Sequence, residues 1–233
     1  MTDLRKQQHP DVYADILTPT INPPPQAAAA NELAAAVRQL VRTTVGSSAS
    51  DDVLREVAAQ VRALVEVLDP HTTMTRSDQG RRISGTGNFM THPIVGPANP
   101  SAPPLRLHID GDVVTGTVVF GPPQEGPDHC AHGGWIAAGF DAILLMAAGA
   151  KGVGGPTKSL SVRYRRPTPI NTPLRYEATV DVVEERRVVI HGRLLNGDEV
   201  CAEGTAEVAR LQRPPAVSPT TDPSPADNPT TER

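Results

Sequence analysis

Eighteen consecutive residues, Gly133 to Ala150, carry one ionisable side chain, Asp141. No other stretch constrains the fold as strongly. A segment apolar on every face of a helix belongs in a protein core or in a bilayer. An acid inside it is costly unless it is hydrogen-bonded, paired or used. The length is marginal for a membrane span, and a carboxylate near mid-depth is strongly disfavoured there. The expectation is therefore a core helix, with no membrane span, and Asp141 as the residue to explain.

The surrounding sequence supplies the rest of that core. Leu105, Leu107 and Ile109 alternate with Arg106 and His108, Asp110-Gly111 marks a hairpin turn, and Val113–Phe120 reads as the return strand. After the apolar segment, Leu160, Val162 and Tyr164 alternate with Ser159, Ser161 and Arg163 until Pro167 and Pro169 stop the strand. Leu174, Tyr176, Ala178, Val180 and Val182 form a further inward set. RVVIHGRLL follows, Asn196-Gly197 turns, and Val200, Ala202, Gly204, Ala206 and Val208 form the last. Two strands, one buried helix and four strands predict an α+β domain, an antiparallel sheet wrapped around one long central helix. A sheet covers one side of a helix, so the remaining apolar surface calls for another element, most simply a second copy: a homodimer or a dimer of dimers.

The flanks divide by composition. Residues 1–30 hold INPPPQ and an alanine run and read as a flexible lead-in. Residues 31–70 read as a helical hairpin. Leu33, Val37, Leu40 and Val41 share a face behind an Asn31 cap, and Val53, Val57, Val61, Leu64, Val65 and Leu68 form a stripe behind Ser50 or Asp51. Such a hairpin is a decoration packed on the main domain or on a partner, or a lid over an apolar ligand. Residues 71–104 are a loop-rich connection, 105–211 the sheet-and-helix domain, and 212–233 a disordered tail. The net charge of −4, with both signs interspersed, points to no nucleic acid or anionic membrane partner. Two cysteines without zinc spacing suggest a reduced cytoplasmic chain, and the N-terminus lacks a secretory signal. Asp128, His129, Cys130 and His132 crowd too closely to converge on one tetrahedral ion, so no metal and no cofactor is expected.

At the start of the apolar segment the residues invite chemistry. Gly133 and Gly134 open the helix, where backbone N–H groups are free and the dipole is positive. Two readings stand: glycine for tight packing, or a backbone oxyanion hole that a carbonyl oxygen can approach closely. In the second, each donor contributes on the order of 100- to 1000-fold in rate. Asp141 likewise reads as a buried acid capping or pairing with another group, or as a base whose partial desolvation increases its basicity.

EGPDHCAHGG at 125–134, Asp141 nine residues after His132, and TKSLSVRYRRP at 157–167 together resemble the hotdog-fold acyl-CoA thioesterases of the PaaI-like family. The resemblance covers about Leu105 to Leu211. It implies a hydrolase cleaving the thioester of acyl-coenzyme A. It also implies Asp141 as general base or nucleophile, acting with Gly133 and Gly134 of the neighbouring subunit. Thr157 is the hydroxyl that orients the water or the acid across the dimer interface, and His132 fixes the loop and glycine backbone. Gly126 stands where relatives place a loop group near the substrate carbonyl, and Trp135 shortens or lines the acyl pocket. Lys158, Arg163, Arg165 and Arg166 are the basic side chains available to the nucleotide end of coenzyme A, with Arg165–Arg166 best placed. The chain departs from the family at Pro127, Asp128 and His129, where relatives carry a glycine; a residue there with a side chain is strained if a positive φ is needed. A non-catalytic acyl-CoA or lipid-binding module and a hotdog enoyl-CoA hydratase or dehydratase are the rival readings. On packing grounds the separation of Asp141 from Gly133, roughly 12 Å along one helix, requires the two to come from different subunits.

Overall fold

The computed structural model describes residues 25–72, 90–103, 105–110 and 113–210. Among them, three α-helices and six strands are formed. Helix α1 spans Pro25–Val45 and α2 spans Asp51–Leu68. Strands β1 (Arg106–Asp110) and β2 (Val113–Val118) precede α3, Gly133–Ala150. Strands β3 (Thr157–Tyr164), β4 (Leu174–Val183), β5 (Arg187–Asn196) and β6 (Glu199–Ala209) follow it. All neighbours are antiparallel, in the order β1-β2-β4-β5-β6-β3, and α3 lies against the sheet. This is the antiparallel sheet around one helix expected from the alternation, and the hotdog arrangement that the resemblance implies. α3 is long and apolar enough to cross a membrane, but more than half of it is buried inside this fold.

Glycines on both sides set how deeply the helix sits. A Cβ on Gly204 would fall 2.5 Å from Phe140 Cδ1, on Gly192 2.9 Å from Leu144 Cδ2, and on Gly116 2.9 Å from Ile143 Cδ1. Carbon atoms pack at about 3.5–4.0 Å, so only hydrogen fits at these strand positions. On the helix side, Gly139 leaves room for Tyr176, whose hydroxyl donates to the Ile136 carbonyl at 3.0 Å. Phe140 meets the Tyr176 ring edge-on, with centroids 5.0 Å apart. Burial of such large side chains stabilises by about 1.5–3 kcal/mol each.

The wrapping is more complete than a sheet alone would give. Val95 and Leu105, from the connection before β1, join the same core, and Met90 and Ala102 are buried beside them. What stays open on α3 is one stripe: Gly134 and Asp141 are exposed, and Ala137, Ala138 and Leu145 are half-buried. The acid thus falls on the single uncovered face.

The N-terminal region differs from its expected boundaries. α1 begins at Pro25, before the Asn31 cap, so residues 25–30 are helix and not a lead-in. Alanine is the best helix former, and Pro25 suits the first helical position, so the alanine run extends the helix backwards. Ser50 occupies the cap of α2, but its side chain makes no capping bond; Asp51 and Asp52 in the first turn complement the dipole instead. The two helices also behave differently. α1 docks through buried Ala34 and through Arg38, which donates to the carbonyls of Pro97 (3.1 Å) and Asn99 (2.8 Å). Burial holds the Arg38 guanidinium below its ordinary pKa. α2 buries none of its residues, against α1 or anything else described. The expected lead-in up to residue 24, most of the 71–104 connection before Met90, and the expected tail 212–233 lie outside the described residues.

Candidate active site

The loop before α3 is a tight turn closed by backbone bonds. Gly126 N–H donates to Cys130 O at 2.8 Å, Cys130 N–H to Pro127 O at 2.8 Å, and His132 N–H to Gln124 O at 2.8 Å. Within it His129 has φ +60°, the left-handed conformation that relatives would meet with glycine. The Glu125 carboxylate accepts from His129 N–H at 2.7 Å and so holds that backbone. Gly126 is required for closeness: a Cβ there would lie 2.9 Å from the His132 Cα. Its N–H is used within the turn, so it offers no donor to a ligand.

His132 is the N-cap of α3, and its Nδ1 accepts from the Gly134 N–H at 3.0 Å. The two glycines therefore differ. The Gly134 donor is occupied by the cap, whereas the Gly133 N–H has no partner among the described residues. The expected pair of backbone donors reduces to one. The Gly133 carbonyl accepts from the Tyr164 hydroxyl at 2.8 Å, which fastens the end of β3 to the start of the helix. The alternation of β3 places Tyr164 with Leu160 and Val162, facing the core; instead it is 52% exposed and stands over Gly133.

Gly133 faces a groove of about 400 Å³ that is also lined by Cys130, Ile136, Arg165, Arg166 and Thr168. Thr168 is 3% exposed, and apart from the Cys201 thiol beside it, a weak partner, its Oγ1 is left without a hydrogen bond. Nothing in the sequence marks Thr168, which sits between two prolines outside any alternation. A larger hollow of about 660 Å³ lies on the outer sheet face around His191 and Glu203, away from every residue singled out at the helix start.

Asp141 stands on the open stripe of α3, exposed, and accepts from the Thr157 hydroxyl at 3.0 Å. The chain's own fold thus leaves the acid in water, contrary to a buried position, because the sheet and the connection cover the other faces. The Thr157 contact forms within one chain, where the resemblance implies one across subunits. Trp135 is half-buried, packs against the core and does not line the groove. Three of the four basic side chains have acidic neighbours: Lys158 with Glu207 at 3.7 Å, Arg165 with Glu203 at 2.6 Å, and Arg166 with Glu199. Of these, Arg165 and Arg166 share the groove with Gly133, while Lys158 lies at the opposite end of β3.

Residues 129–203 match the sequence model of the thioesterase superfamily. That segment contains the helix start, α3, Asp141, Thr157 and the groove arginines. Over that segment the sheet-and-helix domain is similar to the thioesterase superfamily. A solved structure described as a thioesterase superfamily protein is similar to this chain at 28% identity. It covers 78% of this chain and 95% of its own length, with a TM-score of 0.69. Residues 105–211 are less than half of the 233, so that match extends beyond the sheet-and-helix domain into the N-terminal part of the chain. Two further similar structures cover 46% of this chain each. They are the E. coli PaaI protein from the phenylacetic acid degradation operon (15% identity, 80% of that chain, TM-score 0.44) and zebra fish thioesterase superfamily member 2 (17%, 81%, 0.43).

Proposed function

We propose that the chain is an acyl-CoA thioesterase whose reacting groups come from two copies. The observation that carries this reading is the division of labour along α3. Its start presents an N–H at Gly133 with no partner among the described residues, above a groove; its middle presents Asp141, held by Thr157, on the one open face. Eight steps along the helix separate them, roughly 12 Å, too far to act on one carbonyl. A second copy laid against the open stripe brings an Asp141 to the first copy's Gly133 and removes water from the carboxylate, as base work requires. Edge strand β3, which starts at Thr157, has no neighbour on its outer side among the described residues and can take up that copy.

In this reading the thioester carbonyl oxygen accepts from Gly133 N–H. Asp141 takes a proton from water as its oxygen bonds to the carbonyl carbon, and the tetrahedral oxyanion gains strength in the Gly133 hydrogen bond. Collapse breaks the C–S bond, and the CoA sulfur leaves with the proton returned from Asp141, giving free acid and CoA thiol. Arg165 and Arg166 hold exposed carboxylates, pairs worth only about 0–1 kcal/mol, and exchange them for a phosphate at small cost.

The test is thiol release from a panel of acyl-CoAs by wild type and by Asp141→Asn. Asp141 is exposed in the single chain, so the variant keeps its fold, and loss of turnover with retained acyl-CoA binding is expected. Turnover retained in the variant refutes the assignment. Binding without release by wild type points to a non-catalytic module, and loss of an enoyl signal without thiol release points to a hydratase.

A further inference from the structure

α2 is an amphipathic helix with nothing described on its apolar side. Val53, Leu54, Val57, Leu64, Val65, Val67 and Leu68 are 38–69% exposed, and none of its residues is buried. Apolar residues scattered singly on a surface need no explanation, but a continuous face of this kind marks an interaction site. Its spacing says what kind. Leu54, Val57, Val61, Leu64 and Leu68 follow one another at alternating steps of three and four, the seam by which one helix packs on another. Val53, Val65 and Val67 widen that seam to the face of a helix bundle.

The charges sit elsewhere, and those of the first turns pair along the helix. Arg55 pairs with Asp51 at 3.2 Å and Asp52 at 2.9 Å, and Gln60 donates to Glu56 at 3.3 Å. A lipid surface fits poorly, since helices that lie in membrane interfaces carry Lys and Arg on their polar face, and here acids outnumber bases. The occupant must therefore be helical and apolar.

We infer that α2 packs against the α2 of a second copy of this chain. Two observations select that occupant. The likeness extends past the domain: the solved thioesterase superfamily protein at 28% identity is matched over 95% of its length and over more of this chain, on the N-terminal side, than the domain alone. A partner that accompanies the domain wherever the extension does is the domain's own copy. Size gives the second. A helix of 18 residues is about 27 Å long, and one helix face buries less than the roughly 1,200–2,000 Å² of a stable independent interface. Such a face is effective between copies already held together, where the second contact forms at high effective concentration. Exposed Leu33, Val41 and Val45 on α1 add apolar surface on the same extension. The inference draws on the pairing of copies proposed above for that first contact, but not on any catalytic role.

The experiment is sedimentation of the full chain over a range of concentrations: wild type, Val61→Glu/Leu64→Glu on the seam, and Glu56→Lys on the polar face as control. Neither seam residue is buried in the single chain, so the helix and domain signals in circular dichroism are retained. Self-association weakened by about tenfold or more in the double variant, with the control unchanged, is the expected result. Association equal to wild type in the double variant overturns the inference and leaves the shared active site standing. A wild type that is monomeric throughout overturns both. Co-sedimentation of wild type, but not of the double variant, with phosphatidylcholine–phosphatidylglycerol vesicles, together with unaltered self-association, assigns the face to lipid instead.

Discussion

Replacing Gly204 by Ala tests whether strand glycines set the seat of the central helix α3. The new methyl would lie 2.5 Å from Cδ1 and 2.6 Å from Cγ of Phe140, about 1 Å inside normal carbon contact. The ring cannot swing clear, because it is fully buried and set edge-on against Tyr176. A Cβ at Gly192 would already touch the same ring edge at 3.5 Å. Overpacking of this kind costs about 1–3 kcal/mol, offset in part by the roughly 0.5–1 kcal/mol that a strand gains when glycine becomes alanine. The net expectation is a destabilisation of about 1 kcal/mol, or a melting temperature lower by roughly 5 °C for a domain of this size. Chemical and thermal unfolding followed by circular dichroism measure it, at one fixed protein concentration because self-association adds to apparent stability. The decisive arm is the cycle with Phe140→Leu. That change alone costs about 1–3 kcal/mol through lost packing, but combined with Gly204→Ala it removes the clash. The double variant should be more stable than the sum of the singles by about 1 kcal/mol or more. A Gly204→Ala protein within about 0.5 kcal/mol of wild type, or penalties that simply add, would refute the account of how α3 is seated.

Two further expectations concern the site and the core. His132→Ala removes the N-cap acceptor of α3 and should cost about 1 kcal/mol; unfolding of the variant checks it. The Gly134 N–H that His132 now occupies becomes free, so the penalty belongs to stability and not to loss of a donor. Burial pushes the pKa of the Cys201 thiol up, and burial, reinforced by Tyr164, pushes that of the Tyr176 phenol up further. A raised folded-state pKa means that the unfolded chain loses its proton first, so stability is complete below the ordinary thiol range and falls as pH rises through it. Unfolding midpoints between about pH 7 and 10 should decline, and the decline attributable to the thiol should vanish in Cys201→Ala; an equal slope in that variant contradicts the cause.

The sequence by itself determined the architecture. An apolar helix flanked by strands of period two leaves few other packings, because each strand has one face to bury and the helix has nearly all of its own. The family resemblance carried by the sequence singled out His129, which does take a positive φ, and His132 as a group fixing the glycine backbone. Gly133 and Asp141 stood out from the residues themselves, the glycines opening an apolar helix and the acid inside it, whereas Thr157 came into view only through the family resemblance. What only the tertiary structure decided concerns groups whose partners are distant in sequence. Which glycine keeps a free N–H depends on where the His132 ring turns. Which face of α3 is open depends on a connection that folds Val95 and Leu105 into the core and leaves Asp141 outside. Thr168 and Tyr164 reach the helix start from beyond α3, a placement no local period encodes. The helical extension shows the same divide. Alternating steps of three and four specified an apolar stripe on α2, as local periodicity can. That α1 is clamped by Arg38 while α2 is left uncovered was decided by long-range contacts that pair one helix with the domain and leave the other for a partner.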